Sequence, residues 1–223
     1  MSPCTGFVTI GQSPRNDILD SMIPGIADSV VVQHGALDEL GQSDLEELRP
    51  APGETPFVTR LATGEEALVS KDLLMPYLQA AVSRAISDGA TSIVVMCTGA
   101  FPSLNAAVPL VFPDRILTAN VDAILPAGRL GIIMPHEDQH SIMREKWQTS
   151  DRVMIGEVAS PYSSADRLHE IARRMNEQQV DLIVLDCMGF TAEMKGAVAK
   201  GVSVPVVLAN RLVGRVVEEL SRN

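Results

Sequence analysis

Short unbroken apolar runs alternate with helix-period segments along the whole chain. The clearest run occurs twice. Ser92–Ile93–Val94–Val95–Met96–Cys97–Thr98–Gly99 and Leu182–Ile183–Val184–Leu185–Asp186–Cys187–Met188–Gly189 lie ninety positions apart, and each ends in a polar break holding a cysteine and a glycine. A continuous β-branched run of this length, bounded by turn residues, predicts a strand buried on both faces. In open parallel sheets ligands sit past the carboxyl ends of such strands. Each cysteine is therefore expected at the lip of a site, with the two lips related by symmetry.

The same pattern predicts the other elements in order. A strand at Thr5–Ile10 leads into Gly11–Gln12–Ser13–Pro14–Arg15, with Ser13 as helix N-cap and Pro14 at the first helical position. That helix runs through Ile18, Leu19 and Met22 to a stop at Pro24–Gly25. A strand at Ser29–Gln33 follows, then a short acidic helix over Asp38–Arg49, a turn at Pro50–Gly53, and a hairpin of Phe57–Leu61 with Ala67–Ser70. A helix at Lys71–Asp88 carries Pro76 as a bend, and a proline-punctuated passage after Cys97 ends at Val111. Ile116–Ala119 is expected as a strand and Val121–Leu125 as a short helix. The remaining expectations are strands at Leu130–Met134, Val153–Val158 and Val204–Leu208, and helices at His136–Trp147, Ser163–Gln178, Thr191–Lys200 and Asn210–Leu220.

Two offsets relate the halves. At ninety, Tyr77–Asp88 matches Arg167–Gln178, Ile116–Leu117 matches Val206–Val207, and Ala119–Asn120 matches Ala209–Asn210. At 123, Phe7–Ile10 matches Leu130–Ile133 and Asp28 to Val32 matches Asp151 to Ile155, so the first half carries 33 extra residues. The reading is an α/β chain of two related halves. The first spans 1–120 with an inserted segment at about 38–70, a lid or a subunit contact; the second spans 121–209, and the helix at 210–221 packs on the first.

Composition narrows the function. Only 4% of residues are aromatic against 46% hydrophobic, so aliphatic packing carries the core. A net charge of −10 argues against a nucleic-acid partner. It does not exclude an anionic substrate, because local donors dominate over a few ångströms. No apolar run is long enough for a membrane span, and no leader pattern occurs. Three cysteines make no disulfide framework, which favours a reducing cytoplasm.

Two thiols at related strand ends suit cofactor-free chemistry. A thiolate and a thiol on opposite faces of a carbon can remove one proton and deliver another. The amides of Thr98, Gly99, Met188 and Gly189 are candidates to hold a carboxylate or the enolate-like charge that develops. Ser13, Arg15, Thr98 and Thr191 are candidate carboxylate donors, and Gly11 and Gln12 complete the first loop. Pro135–His136 is expected where the first half has Gln12–Ser13, with His136 as a general base or an orienting donor. Asp186 is expected to pair with a backbone donor, and a carboxylate beside Cys187 would raise that thiol's pKa. No C-x-x-C pair occurs, and His136 with His140 lacks a third ligand placed by spacing, so no metal is expected. Each cysteine alone also fits an inert buried thiol.

These residues resemble a known family. The strand–Cys-Thr-Gly and strand–Cys-x-Gly-Phe-Thr motifs resemble the aspartate/glutamate racemase superfamily. Within it, Ile10–Gly11–Gln12–Ser13–Pro14–Arg15 and Asp186–Cys187–Met188–Gly189–Phe190 resemble the AroM family, over essentially the whole chain. The resemblance implies two flavodoxin-like parallel-sheet subdomains related by pseudo-two-fold symmetry and an active site between them. It implies no cofactor, and Cys97 and Cys187 as the acid/base or nucleophile pair. Racemases of the superfamily usually carry Asn-Thr after the first cysteine and Thr, then His or Glu, after the second. Here stand Thr98–Gly99 and Met188–Gly189–Phe190, with Met188 and Phe190 expected as an apolar wall.

The expected activity is a racemase- or epimerase-like isomerisation of a small carboxylate-bearing compound. Alternatives are cysteine-dependent cis–trans isomerisation, decarboxylation, or a ligand-binding regulator without turnover. A homodimer or higher homo-oligomer stays open.

Overall fold

A computed structural model describes residues 4–24, 31–54, 56–161 and 164–221. The chain forms two compact units, Met1–Asp114 with Arg215–Asn223, and Arg115–Gly214. Gly25, Asp28, Ser29, Val30 and Ser163, on which parts of the expectations fall, lie outside the described residues.

The first unit holds β1 (Thr5–Thr9), α1 (Asn16–Met22), β2 (Val31–Gly35), α2 (Gln42–Glu47), β3 (Pro56–Arg60), β4 (Glu66–Ser70), α3 (Lys71–Ser87), β5 (Ser92–Val95) and β6 (Leu110–Val111). Its main sheet runs β2-β1-β5-β6, with every pairing parallel. The β3–β4 pair is a separate antiparallel hairpin, with Phe57 opposite Val69. The aliphatic runs form strands because both faces are covered: Ile93, Val94 and Val95 have no exposed surface. One face packs on α3 through Leu74, Leu78, Ala81, Val82 and Ala85.

The remaining elements are α4 (Pro113–Ile124), β7 (Gly128–Met134), α5 (His140–Trp147), β8 (Arg152–Val158), α6 (Ala165–Glu177), β9 (Leu182–Leu185), α7 (Ala192–Ala199), β10 (Val206–Leu208) and α8 (Ala209–Ser221). The second unit's sheet runs β10-β9-β7-β8, again parallel throughout. Each sheet thus places its strands in the same sequential order, second-first-third-fourth. Leu168, Ile171, Ala172 and Met175 of α6 cover one part of the second sheet with Ile183, Leu185 and Phe190. Leu117 and Val121 of α4 join Leu130, Ile132, Met143 and Trp147 in another cluster.

The repeat is real in topology, but its offsets need correction. Ninety holds for the cysteine strands, Ser92–Val95 against Leu182–Leu185. Before them, Met96 N–H donates to Val8 O while Asp186 N–H donates to Ile133 O. Val8 therefore answers to Ile133, and the β1/β7 offset is 125 rather than 123. The 123 offset survives for β2 and β8: Ala36 N–H donates to Thr9 O, and Ala159 N–H to Met134 O. Pro135–His136 consequently answers to Ile10–Gly11, not to Gln12–Ser13.

Past the cysteines the offset grows to 96, since Ile93 N–H donates to Pro109 O and Ile183 N–H to Pro205 O. The expected strand at Ile116–Ala119 is accordingly wrong. The edge position beside β5 is filled by Leu110–Val111. Pro113 then opens α4, which swallows both Ile116–Ala119 and most of the predicted Val121–Leu125 helix. Elsewhere the bounds move less. The acidic helix contracts to Gln42–Glu47, and residues 137–139 form a 3₁₀ turn ahead of α5.

Candidate active site

The first lip is formed by the segments after β1 and β5. Cys97 is half-buried, two residues past β5, and its Sγ accepts the Gly99 N–H at 3.4 Å. Thr98 is buried. A Cβ on Gly99 would stand 2.8 Å from Cζ of Phe57, so the hairpin's Phe57 lies directly on this turn. Phe57 also meets Phe101 edge-on at 5.2 Å. The insert is thus a packed wall of the first unit beside Cys97.

The Gly11–Arg15 segment is held by internal partners. Gln12 Nε2 donates to Leu37 O at 3.2 Å, and its Oε1 accepts the Ala62 N–H at 2.7 Å. The expected Ser13 cap is not formed. Asp38 accepts both the Ser13 N–H, at 2.6 Å, and the Ser13 hydroxyl, at 2.8 Å, and it also accepts the Gly35 N–H at 2.6 Å. With Ser13 turned to Asp38, α1 begins only at Asn16, and Arg15 takes the cap position with its carbonyl accepting from Ile18 and Leu19. Arg15 is buried, and its fork grips Asp17 through Nε at 2.9 Å and Nη2 at 2.8 Å. Arg60 of the hairpin stands 3.6 Å from the same carboxylate.

This segment is sterically tight. A Cβ on Gly35 would collide with the Asp38 carboxylate and Gly11 O, and would lie 2.7 Å from Ser13 N. Gly35→Ala is expected to cost about 1–3 kcal/mol of stability through overpacking, read from urea unfolding.

The second lip repeats the thiol geometry. Cys187 is half-buried, two residues past β9, and its Sγ accepts the Gly189 N–H at 3.5 Å. Two of the four amides proposed for a carboxylate, those of Gly99 and Gly189, therefore point at sulfur. An amide N–H on sulfur favours the thiolate. Asn210 Nδ2 holds the turn that follows by donating to Met188 O at 3.0 Å and Phe190 O at 2.7 Å. Met188 and Phe190 are buried, and Phe190 belongs to the core cluster with Leu208, so neither forms an open apolar wall. Thr191 caps α7, its Oγ1 accepting the Met194 N–H at 3.3 Å. Pro135 is buried, and half-buried His136 follows it. His136 Nδ1 accepts the Asp138 N–H at 3.2 Å and stands 3.5 Å from the Asp138 carboxylate.

The sequence profile described as AroM protein matches residues 5–221. The chain belongs to the AroM family. No curated protein matches it by sequence. Solved structures show the fold. An unliganded arylmalonate decarboxylase aligns with a TM-score of 0.63 at 15% identity, covering 100% of this chain and 94% of its own. Glutamate racemase from Francisella tularensis subsp. tularensis SCHU S4, in complex with D-glutamate, aligns at 0.60 and 13% identity, covering 98% and 81%. Aspartate racemase from Picrophilus torridus aligns at 0.59 and 10% identity, covering 99% and 94%. The AroM chain therefore has the Asp/Glu racemase-like α/β fold of two sheet-and-helix subdomains. Among the described residues, no helix is long and apolar enough to cross a membrane. Nor do three His, Cys, Asp or Glu side chains group as metal ligands there.

The residues the sequence reading missed in this AroM chain sit beside Cys187. Asp186 is 1% exposed and pairs with the side chains of Lys146 and Trp147. Lys146 Nζ reaches its two oxygens at 3.2 and 2.9 Å, and the Trp147 indole donates at 2.7 Å. The ammonium also stands 4.7 Å over the Trp147 ring. Lysine and tryptophan on a predicted helix carry no signal of a partner 40 residues away.

One pH dependence follows at the first lip. Burial pushes the Asp17 carboxyl up, but the hydrogen bond and charge of Arg15, the Ile18 N–H and Arg60 together hold it below the ordinary value. A depressed folded pKa contributes stability above the unfolded value and loses it as pH falls through the folded one. Asp17→Asn is therefore expected to flatten the fall in stability between about pH 4 and pH 2, read from urea midpoints across that range.

Proposed function

We propose that this AroM-family protein is an isomerase of the racemase or epimerase type. It acts on a small carboxylate-bearing compound through Cys97 and Cys187, with no cofactor. The observation that carries the reading is the same turn at both cysteines: a half-buried thiol two residues past a buried parallel strand, its sulfur accepting the N–H two residues on. The racemases among the structural neighbours support it.

In the proposed step one cysteine, as thiolate, takes the α-proton and becomes a thiol. The carbon holds the electron pair as an enolate-like carbanion. The other cysteine, as thiol, returns a proton to the opposite face and is left as thiolate. Proton count and charge balance, and the return turnover resets the pair. His136, which follows β7 at the second lip, orients substrate or thiolate as a donor. Among the amides at the two turns, those of Thr98 and Met188 are not the ones donating to the thiol sulfurs.

The test is solvent-deuterium uptake by a panel of chiral carboxylates, followed by proton NMR. Label entering the α-position of one compound, with inversion, is the expected result. No uptake across the panel would overturn isomerisation. A second reading is decarboxylation, favoured by the arylmalonate decarboxylase alignment at a TM-score of 0.63. It predicts carbon dioxide release from α-disubstituted malonates instead.

A further inference from the structure

The two thiol turns share their backbone, but the residue before each cysteine differs. Met96 and Asp186 make the equivalent strand hydrogen bond, to Val8 O and Ile133 O, and both are buried. The first lip thus has an apolar side chain where the second has a buried carboxylate. That carboxylate is met by the ammonium of a lysine whose side chain is 13% exposed, and by the N–H of a fully buried indole. Both partners come from the last two residues of α5. The carboxylate of this pair belongs to the residue directly before Cys187, so the two charges flank the backbone that carries that sulfur. Alone, the carboxylate would oppose thiolate formation at Cys187; alone, the ammonium would favour it.

We infer that Lys146 is a positioning residue for Cys187: paired with Asp186, it balances the charge beside that thiol and anchors the strand end that carries it. The inference rests on the proposed role of Cys187 and deepens it. The residues before the two thiols differ in kind, one a buried methionine and one half of an ion pair. The other titratable groups on the elements around this lip are His136, Glu137 and Asp138 after β7, His140, Arg144 and Glu145 on α5, Glu193 and Lys195 on α7, and Arg211 in the first turn of α8. None of them is altered in the test.

The test is alkylation of the full chain by iodoacetamide from pH 6 to pH 10, with each cysteine's rate read from its own peptide by mass spectrometry. Lys146→Met is expected to raise the Cys187 midpoint by about one pH unit, and Asp186→Asn to lower it by about the same. The double variant is expected to return near the parent value, and Lys146→Arg to leave it in place. Cys97 serves as the internal control and is expected to keep its midpoint throughout. A merely structural role would move both single variants in one direction, or move Cys97 with Cys187. Either result, or unmoved Cys187 midpoints, overturns the inference. Should Lys146→Met fail to fold, Asp186→Asn and the double variant still decide the sign. Because the readout is alkylation, failure here leaves the deuterium-uptake result standing, and failure of uptake leaves these midpoints standing.

Discussion

Lys146→Met is expected to lose about 3–5 kcal/mol of folding stability, read from urea unfolding at neutral pH. The magnitude follows from where the charge is left. Asp186 has a side chain with no exposed surface, and the Lys146 ammonium supplies two of its contacts, at 2.9 and 3.2 Å. Removing the cation takes both of those charge-assisted contacts from a buried carboxylate. The pair itself need not be a net stabiliser, because taking two charges out of water costs about what their attraction returns. The double variant Asp186→Asn with Lys146→Met separates the two statements. It removes both charges and keeps a side-chain oxygen for the Trp147 N–H, so most of the lost stability is expected to return. A double variant as unstable as Lys146→Met alone would show that the ammonium's packing over the Trp147 ring, 4.7 Å from its centre, matters more than charge.

The fold was largely legible because buried parallel strands announce themselves locally. Ile93–Val94–Val95 and Leu182–Leu185 are apolar on both faces, and short β-branched runs of this kind bounded by turn residues suit a strand covered on both sides. The failures came where two different backbones bury similar residues. Ile116 and Leu117 look like Val206 and Val207, yet Leu117 is buried from a helix and Val206 from a strand. Six extra residues between the second turn's counterpart strands were enough to hide the true edge strand, only two residues long. Ala119–Asn120 and Ala209–Asn210 show the same trap. Asn120 Nδ2 donates to Ile116 O within its own helix, whereas Asn210 Nδ2 clamps the turn after Cys187.

The candidate site was legible at the cysteines and not around them. A thiol two residues past a buried strand is placed by the strand itself. The partners of Gln12, Ser13 and Arg15 are Leu37, Asp38, Asp17 and the hairpin, and spacing does not say whether a donor will meet a ligand or its own chain. Donor-rich loops past parallel strands therefore over-predict ligand contacts. The insert shows the complementary limit. Its position in sequence allowed a lid or a subunit contact, while Phe57 against Gly99 and Gln12 against Ala62 make it part of the first unit's lip.

Cys97→Ala and Cys187→Ala are each expected to slow interconversion of the enantiomers about 10²- to 10⁴-fold, the usual contribution of a positioned acid or base. The informative result lies in what each variant keeps. A two-thiol exchange assigns one cysteine to each face of the α-carbon. A variant lacking one thiol can still remove and return the proton on the remaining face, so it should wash solvent deuterium into one enantiomer without inverting it. The two variants should retain this exchange for opposite enantiomers. Thermal unfolding of both checks that the half-buried substitutions leave the fold in place. A decarboxylase gives a different pattern: Cys187→Ala abolishes carbon dioxide release while Cys97→Ala stays active, since only one proton is delivered and to one face. Equal, partial losses in both variants, with no enantiomer preference in the residual exchange, would argue that neither sulfur touches the reacting carbon. The matched N–H···S turns would then be a way of finishing a buried strand, kept in both halves for packing alone.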